Sequence, residues 1–184
     1  KASPMTFKTS PMDAFRTGKF ASGIVFSLTV AVTIAQLSLA APAGTGEAKG
    51  TLSYKGKTVS LNFAYLVKGP DPVETKTIIR RVILSATDLS AKIQSCKTRN
   101  CSDSDLSDGI AVDFDIGPRL GYRIAMNNGL VQYSFGAKPD AWKGSNNTPT
   151  RLQGKLSFDD TTAGGPVVDV EFDAELLKEF KLAR

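Results

Sequence analysis

The 184-residue chain contains no histidine. This absence excludes Ser-His-Asp and Cys-His catalysis, His-ligated zinc and the most common general base near neutral pH. The motifs GxGxxG, GxxxxGK[ST] and GxSxG are also missing from the sequence. An enzyme of this composition would depend on carboxylates, lysine, tyrosine or an unassisted serine. The composition therefore favours a non-catalytic protein over an enzyme without deciding between them, and we expect no cofactor.

Cysteine is almost as scarce, since Cys96 and Cys101 are the only two. Two cysteines cannot build a tetrahedral zinc site or an iron–sulfur cluster, so we expect no metal site. Both stand in a short polar stretch, and in an oxidising compartment such a pair most often forms a disulfide. The C-x-x-C spacing of redox-active pairs is absent, which favours a structural disulfide over a catalytic one.

One long apolar run is present, residues 23–40 (GIVFSLTVAVTIAQLSLA), and it follows Arg16 and Lys19. A basic start, an apolar run and a small-residue exit form the pattern of a secretory signal peptide. The alternative is an uncleaved membrane anchor, because roughly 20 apolar residues cross a bilayer. Polar residues inside the run and the lack of a basic stop-transfer cluster favour cleavage. We expect residues 1–43 to be a signal peptide with an n-region extension, cleaved between Ala40 and Ala43, and the protein to be periplasmic or secreted.

The net charge of +5 belongs largely to this leader. Four of the 23 basic residues and one of the 18 acidic residues lie before position 43, which leaves +2 for the remainder. No cluster of lysine and arginine alternates with aromatic residues, so we expect no nucleic-acid partner. We expect contact with a membrane only through an uncleaved leader.

After a lead-in over residues 44–49, which we expect to be disordered, residues 50–184 have the pattern of a single β domain. Apolar residues recur there with a period of two, which is typical of half-buried antiparallel strands. The segments with this pattern are residues 52–54, 59–67, 110–116, 122–126, 131–135, 152–158 and 168–174. Residues 77–85 are apolar on both faces, interrupted only by Arg80 and Arg81, one of which must point inward or mark a sheet edge. Short, evenly spaced strands predict an all-β fold, an antiparallel β-sandwich or small β-barrel of about 7–8 strands.

The remaining segments have other patterns. Residues 89–96 predict one short helix near the disulfide loop, capped by Asp88 or Ser90. Residues 127–129 (NNG) predict a two-residue hairpin turn. Residues 136–150, with two prolines and two glycines, are expected to form a long loop. The tail over residues 175–184 is expected to be a short amphipathic helix or a frayed end.

The first and last predicted hairpins resemble one another. Residues 50–54 (GTLSY) match residues 154–158 (GKLSF), and residues 59–63 (VSLNF) match residues 168–172 (VDVEF). Chance similarity of two amphipathic hairpins is one interpretation. The other is a pair of equivalent hairpins that lie side by side or in facing sheets.

The same motifs resemble a loose set of uncharacterised bacterial exported all-β proteins. That set shares an early G-x-L-x-Y/F hairpin with an aromatic-rich strand, here residues 50–65, and a late V-x-F-D-A-type strand, here residues 170–174. The resemblance covers most of the chain after the leader. It implies export and an all-β fold, and it implies no activity.

Trp142 and Tyr122 are the candidate ligand-binding residues. Trp142 stands among turn residues, where an exposed tryptophan is typical of sugar or protein contacts, although it could also fold back and plug one end of a sandwich. Tyr122 lies on a predicted strand face that would border an end cavity. Such a cavity would hold a small apolar molecule or a glycan.

Carboxylates are the remaining candidates for chemistry. Asp113 with Asp115, and Asp169 with Glu171, are two residues apart on predicted strands, about 7 Å along one face. A glycosidase uses a pair of carboxylates, but an ordinary solvated strand face is the simpler interpretation. The acidic run at residues 103–108 lacks the spacing of an EF-hand calcium loop.

Three hypotheses for function follow. The composition favours an exported, non-catalytic β-domain with a binding or structural role in the cell envelope, whose partner is an unknown small molecule, glycan or envelope protein. One alternative is a carboxylate-dependent hydrolase that works without histidine. The other is a protein-interaction module that uses the loop over residues 136–150.

Overall fold

The computed structural model describes residues 46–71, 74–117, 119–127 and 129–181. The signal peptide predicted over residues 1–43, and its cleavage position, lie outside these residues. The described chain is nearly all β and forms one sheet of nine strands, with a short helix beside it. In chain order the strands are β1 (Gly46–Tyr54), β2 (Lys57–Pro70), β3 (Ile78–Ser85), β4 (Gly109–Asp113), β5 (Leu120–Met126), β6 (Gly129–Ala137), β7 (Trp142–Thr148), β8 (Arg151–Asp159) and β9 (Val167–Glu179). The helices are α1 (Ser90–Ser95) and the single turn α2 (Cys101–Ser104).

The strands are ordered β6-β5-β4-β3-β2-β1-β9-β8-β7 in the sheet. Neighbours are antiparallel, and β2 also pairs in parallel with β9 beyond the start of β1, at Leu66 opposite Leu176. The strands at the two ends of this order, β6 and β7, do not pair within the described residues. The fold is therefore a sandwich-like or barrel-like sheet that is not closed, which confirms the predicted antiparallel β class.

The sheet curls so that its two halves pack against each other. Phe114, after β4, packs edge-on against Trp142 of β7 with ring centroids 4.9 Å apart, and Tyr122 of β5 lies 5.1 Å from Phe158 of β8. Alternating apolar residues of the other eight strands, together with Trp142 at the start of β7, meet in this inner core. Burial of such side chains stabilises a fold by roughly 1.5–3 kcal/mol each. The apolar residues that recur at every second position of the sequence are thus those that face this inner core.

The opposite face of β2 to β5 carries a second, outer core. Tyr65, Val67 and Ile83 pack there against Leu89 and Ile93 of the α1 segment. Both faces of β2 and β3 are therefore covered, which explains why residues 77–85 lack a clean alternation.

The predicted helix and disulfide are both present. Cys96 and Cys101 are bonded, with their Cα atoms 5.5 Å apart. At the start of α1, Asp88 Oδ1 accepts hydrogen bonds from the Ser90 N–H (2.8 Å) and the Tyr65 hydroxyl (2.7 Å). These two hydrogen bonds lower the pKa of Asp88, while burial and the Asp88 contact raise the pKa of Tyr65. The N-cap position is occupied by Leu89 rather than by either predicted residue, and Asp88, one residue earlier, bonds to the first N–H of the helix.

Three segments differ from the sequence prediction, and β1 is the first. It begins at Gly46, so residues 46–49 of the predicted disordered lead-in lie in a strand between β2 and β9. A Cβ atom at Gly46 would lie 1.8 Å from the Asp173 carbonyl oxygen. The small residues that suggest disorder are thus needed for close approach of the strands.

The other two differences are in β7 and β9. The predicted loop over residues 136–150 contains β7, whose largely exposed polar residues are held by backbone pairing with β8 rather than by an apolar face. The predicted helical or frayed tail is instead the end of β9, which continues to Glu179. Leu176 contacts the inner core and Leu177 the outer core, so two adjacent leucines imitate a helical pattern. With β7 included, the described residues form nine strands rather than the predicted 7–8.

The two similar hairpins lie side by side. The hairpin β1–β2 and the hairpin β8–β9 are joined through the pairing of β1 with β9. This agrees with the equivalent-hairpin interpretation of the sequence similarity. Within the described residues, no helix has the length and apolar character needed to cross a bilayer.

Candidate functional site

The predicted ligand-binding residues both belong to the inner core. Tyr122 is 2% exposed, and its hydroxyl donates a hydrogen bond to Asp160 Oδ2 at 2.6 Å. Trp142 is partly buried; besides packing against Phe114, its ring covers Gly144, where a Cβ atom would lie 2.5 Å from the indole. These contacts favour a packing role for both side chains, and ligand binding by them stays a prediction.

Trp142→Ala should lower the free energy of unfolding by about 2–3 kcal/mol, somewhat less than for a fully buried tryptophan. The expected cause is loss of the contacts with Phe114 and the inner core. Urea unfolding of the two proteins measures the difference. Leu130→Ala is the matched control, because Leu130 is 57% exposed and its truncation should change stability little. If Trp142→Ala were as stable as the control, Trp142 would be available for a ligand rather than needed for packing.

The candidate catalytic carboxylates are engaged by arginines. Asp113 binds Arg81 through two hydrogen bonds of 2.6 and 2.8 Å, and Asp115 binds Arg80 at 2.8 and 2.7 Å. Burial would raise the pKa of Asp115, but the hydrogen bonds from Arg80 outweigh it and lower that pKa. A general acid at neutral pH needs the opposite shift. The geometry therefore does not favour acid catalysis at this pair.

The second carboxylate pair, Asp169 and Glu171, lies on an exposed strand face. Asp169 forms an ion pair with Lys155 at 2.8 Å and is 57% exposed. In the acidic run, Lys57 binds Asp108 at 2.6 Å and Lys92 lies 3.7 Å from Asp105. No group of three or more described histidine, cysteine, aspartate or glutamate residues is placed to hold a metal ion.

A groove of about 450 Å³ crosses the outer face of β1, β9, β8 and β7. We call it the outer groove. Its size lies within the range of small-molecule sites. Its polar walls are formed by outward-facing side chains of the four strands, and its floor by small or buried residues. The wall residues are Glu47, Lys49, Lys143, Ser145, Gln153, Lys155, Glu171 and Asp173, and the floor residues are Ala48, Gly154 and Phe172.

One wall of the outer groove is a lysine row. Lys143 pairs with Lys155 in the register of β7 and β8, Lys155 with Glu171, and Glu171 with Lys49. With strands about 4.8 Å apart, the row is about 14 Å long. Lys155 is neutralised by Asp169, whereas the side chains of Lys143 and Lys49 form no ion pair in the described part of the chain. Because Lys155 is paired with Asp169 and Lys49 stands opposite Glu171, Lys143 is the lysine of this row whose charge is least compensated.

The other wall is an acidic and amide row, two residues or about 7 Å further along the strands. Glu47 pairs with Asp173, and Asp173 with Gln153. Two hydrogen bonds from Arg151 lower the pKa of Asp173 and hold it ionised. A bulge in β7 places Ser145 beside Gln153, where its hydroxyl donates to the Gln153 carbonyl at 3.2 Å. The groove thus offers ammonium donors on one side and carboxylate and amide oxygens on the other.

No protein-family model, curated protein or solved structure matches the chain. Its function must therefore be inferred from its own residues. The sequence shows Asp169, Glu171 and Asp173 as an alternating acidic face. It gives no sign of the lysine row, because Lys49, Lys143 and Lys155 meet only through the register of distant strands.

Proposed function

We propose that the chain is an exported, non-catalytic domain that binds an acidic oligosaccharide in the outer groove. The observation that carries this proposal is the lysine row, in which Lys143 stands opposite Lys155 without an ion-pair partner of its own. A bound carboxylate or sulfate group would supply Lys143 with an ion-pair partner. Sugar hydroxyls would donate hydrogen bonds to the carboxylates of Glu47 and Asp173 across the groove, so both walls are used.

Export is supported by two observations of different kinds. The sequence has the leader pattern over residues 23–40. The Cys96–Cys101 disulfide is typical of an oxidising compartment. An envelope or extracellular glycan is a ligand that such a compartment contains.

Lys143→Ala and Lys155→Ala should each weaken binding of an acidic oligosaccharide about fivefold, as for loss of one exposed charge contact. The probe is oligogalacturonate, followed by isothermal titration calorimetry at low and at physiological salt. Because exposed charge contacts are screened, affinity should fall as salt rises. Lys143→Ala alone should leave the unliganded protein as stable as before or slightly more so, since it removes a like-charge contact.

The matched control is Lys76→Ala, an exposed lysine in the turn before β3, which should leave affinity unchanged. A neutral oligosaccharide of the same length should bind more weakly than oligogalacturonate. Equal affinity for the charged and neutral sugars, or equal loss in the control, would contradict the proposal.

The protein-interaction alternative is favoured by one observation. The segment over residues 136–150 contains the edge strand β7, which pairs only with β8 among the described residues. An open strand edge can accept a strand from a partner. The strand β7 also carries Lys143 of the outer groove, so deletion of the segment would remove both surfaces and would not distinguish the two hypotheses. The lysine substitutions distinguish them, because they change the groove and leave the backbone of β7 in place.

A further inference from the structure

Arg99 is buried without a full set of hydrogen bonds. It lies in the loop between the two disulfide cysteines and is 5% exposed. Its Nε and Nη1 atoms are buried and have no hydrogen-bond partner among the described residues. A buried charged donor without an acceptor is costly, and native structures seldom keep one without a reason.

The groups around Arg99 carry charges of both signs. It interacts electrostatically with Arg81 and Arg123, and with Asp113 and Asp71. Both carboxylate oxygens of Asp113 already accept hydrogen bonds from Arg81. Burial, and next the charge of Arg81, lowers the pKa of Arg99. Three guanidinium groups thus share two carboxylates.

The loop holds Arg99 in this position. The disulfide joins its ends, and the Ser102 N–H and hydroxyl both donate hydrogen bonds to the Arg99 carbonyl oxygen. On the sheet below, Ala111 lies between Ile83 and Arg123 in the register, and Gly121 lies opposite Asp113. Arg81, Asp113 and Arg123 therefore share one face of the sheet, because side chains alternate between the faces along each strand. A guanidinium that is held in place loses little entropy when it binds a ligand.

We infer that Arg99, together with Arg81 and Arg123, forms a binding site for a small oxyanion beneath the disulfide loop. An oxyanion supplies the acceptors that Arg99 Nε and Nη1 lack, and the planar guanidinium fork matches phosphate, sulfate and carboxylate oxygens in a bidentate manner. The Asp113 side chain keeps 12% exposure, which connects the cluster to solvent. The site lies on β3 to β5, whereas the outer groove lies on β1 and β7 to β9, so the two proposals are independent.

The test is thermal unfolding of the oxidised protein in chloride, and in phosphate, sulfate or acetate at matched ionic strength. A ligand that binds only the folded state raises Tm in a saturable manner. We expect wild type to gain several degrees with at least one oxyanion. Arg99→Met should show no such gain and should be at least as stable as wild type in chloride, because an unpaired buried charge is replaced by an apolar side chain.

Arg99→Lys is the second variant, which keeps the charge and removes the fork, and it should weaken the oxyanion effect about tenfold. The Lys143→Ala/Lys155→Ala double variant should respond like wild type, which separates this site from the outer groove. The inference is overturned if no oxyanion stabilises wild type, or if Arg99→Met keeps the full oxyanion response. It is also overturned if both Arg99 variants fail to fold in chloride, since Arg99 would then be needed for the fold itself.

Discussion

Asp113→Ala should lower the free energy of unfolding by about 3–5 kcal/mol, the typical cost of removing one partner from a buried ion pair. Arg81 is fully buried, and Asp113 accepts two hydrogen bonds from it at 2.6 and 2.8 Å. Without Asp113, Arg81 would lose two hydrogen bonds and Arg99 would lose one of the two carboxylates that act on it. Urea unfolding at constant pH and salt measures the loss.

Two further variants test whether the loss of stability in Asp113→Ala arises from the burial of the ion pair. Asp169→Ala removes an ion pair with Lys155 that is largely exposed, so it should change the free energy of unfolding little. The double variant Arg81→Leu/Asp113→Leu should be more stable than Asp113→Ala, because it leaves no buried charge at either position. A loss for Asp113→Ala no greater than that for Asp169→Ala would show that the pair is solvated in solution.

The strands that could be predicted from the sequence are those with one face in the inner core. In β5, for example, Tyr122 and Ile124 are buried in that core, and the period of two follows directly. The strand β7 could not be predicted in this way, because its side chains are mostly exposed and backbone pairing with β8 holds it in place. The end of β9 contacts both cores, so its alternation is lost there.

The Arg80-Arg81 pair shows that the sequence also does not predict the partners of single charged residues. The sequence requires that one of them point inward or mark a sheet edge. The strand β3 is central, and Arg81 is buried against Asp113 while Arg80 binds Asp115 and also Asn147 at 2.7 Å. Their partners lie 32 to 67 positions away, a separation that no local pattern reports.

The candidate sites divide similarly. The disulfide could be predicted because its two cysteines are close in the sequence and have no other partners. The outer groove could not, since its lysine row depends on the register of four strands. In the sequence Arg99 has the pattern of a polar loop residue. Its burial follows from the packing of the loop on the sheet, which the sequence does not show.

Gly50→Ala should lower the free energy of unfolding by about 3 kcal/mol or more, at the upper end of the cost of overpacking. A Cβ atom at Gly50 would lie 2.1 Å from the Asp169 carbonyl oxygen and 2.4 Å from the Val170 Cα. Both are backbone atoms of β9, so the clash is relieved only if β1 and β9 separate. Urea unfolding measures the effect, and a loss of affinity for oligogalacturonate is expected as well, because β1 and β9 form part of the outer groove.

Gly154→Ala should be similarly damaging, because a Cβ atom there would lie 2.3 Å from the Lys143 carbonyl oxygen. The control is Gly129→Ala, where the nearest atom would be 3.7 Å away; this change should leave stability unchanged or raise it by about 0.5 kcal/mol through the unfolded state. Gly50 and Gly154 begin the matching segments GTLSY and GKLSF. A large loss at both, and none at Gly129, would explain the shared glycine by close approach to a neighbouring strand in two equivalent hairpins. A loss at Gly50 alone would leave the similarity of the hairpins to chance.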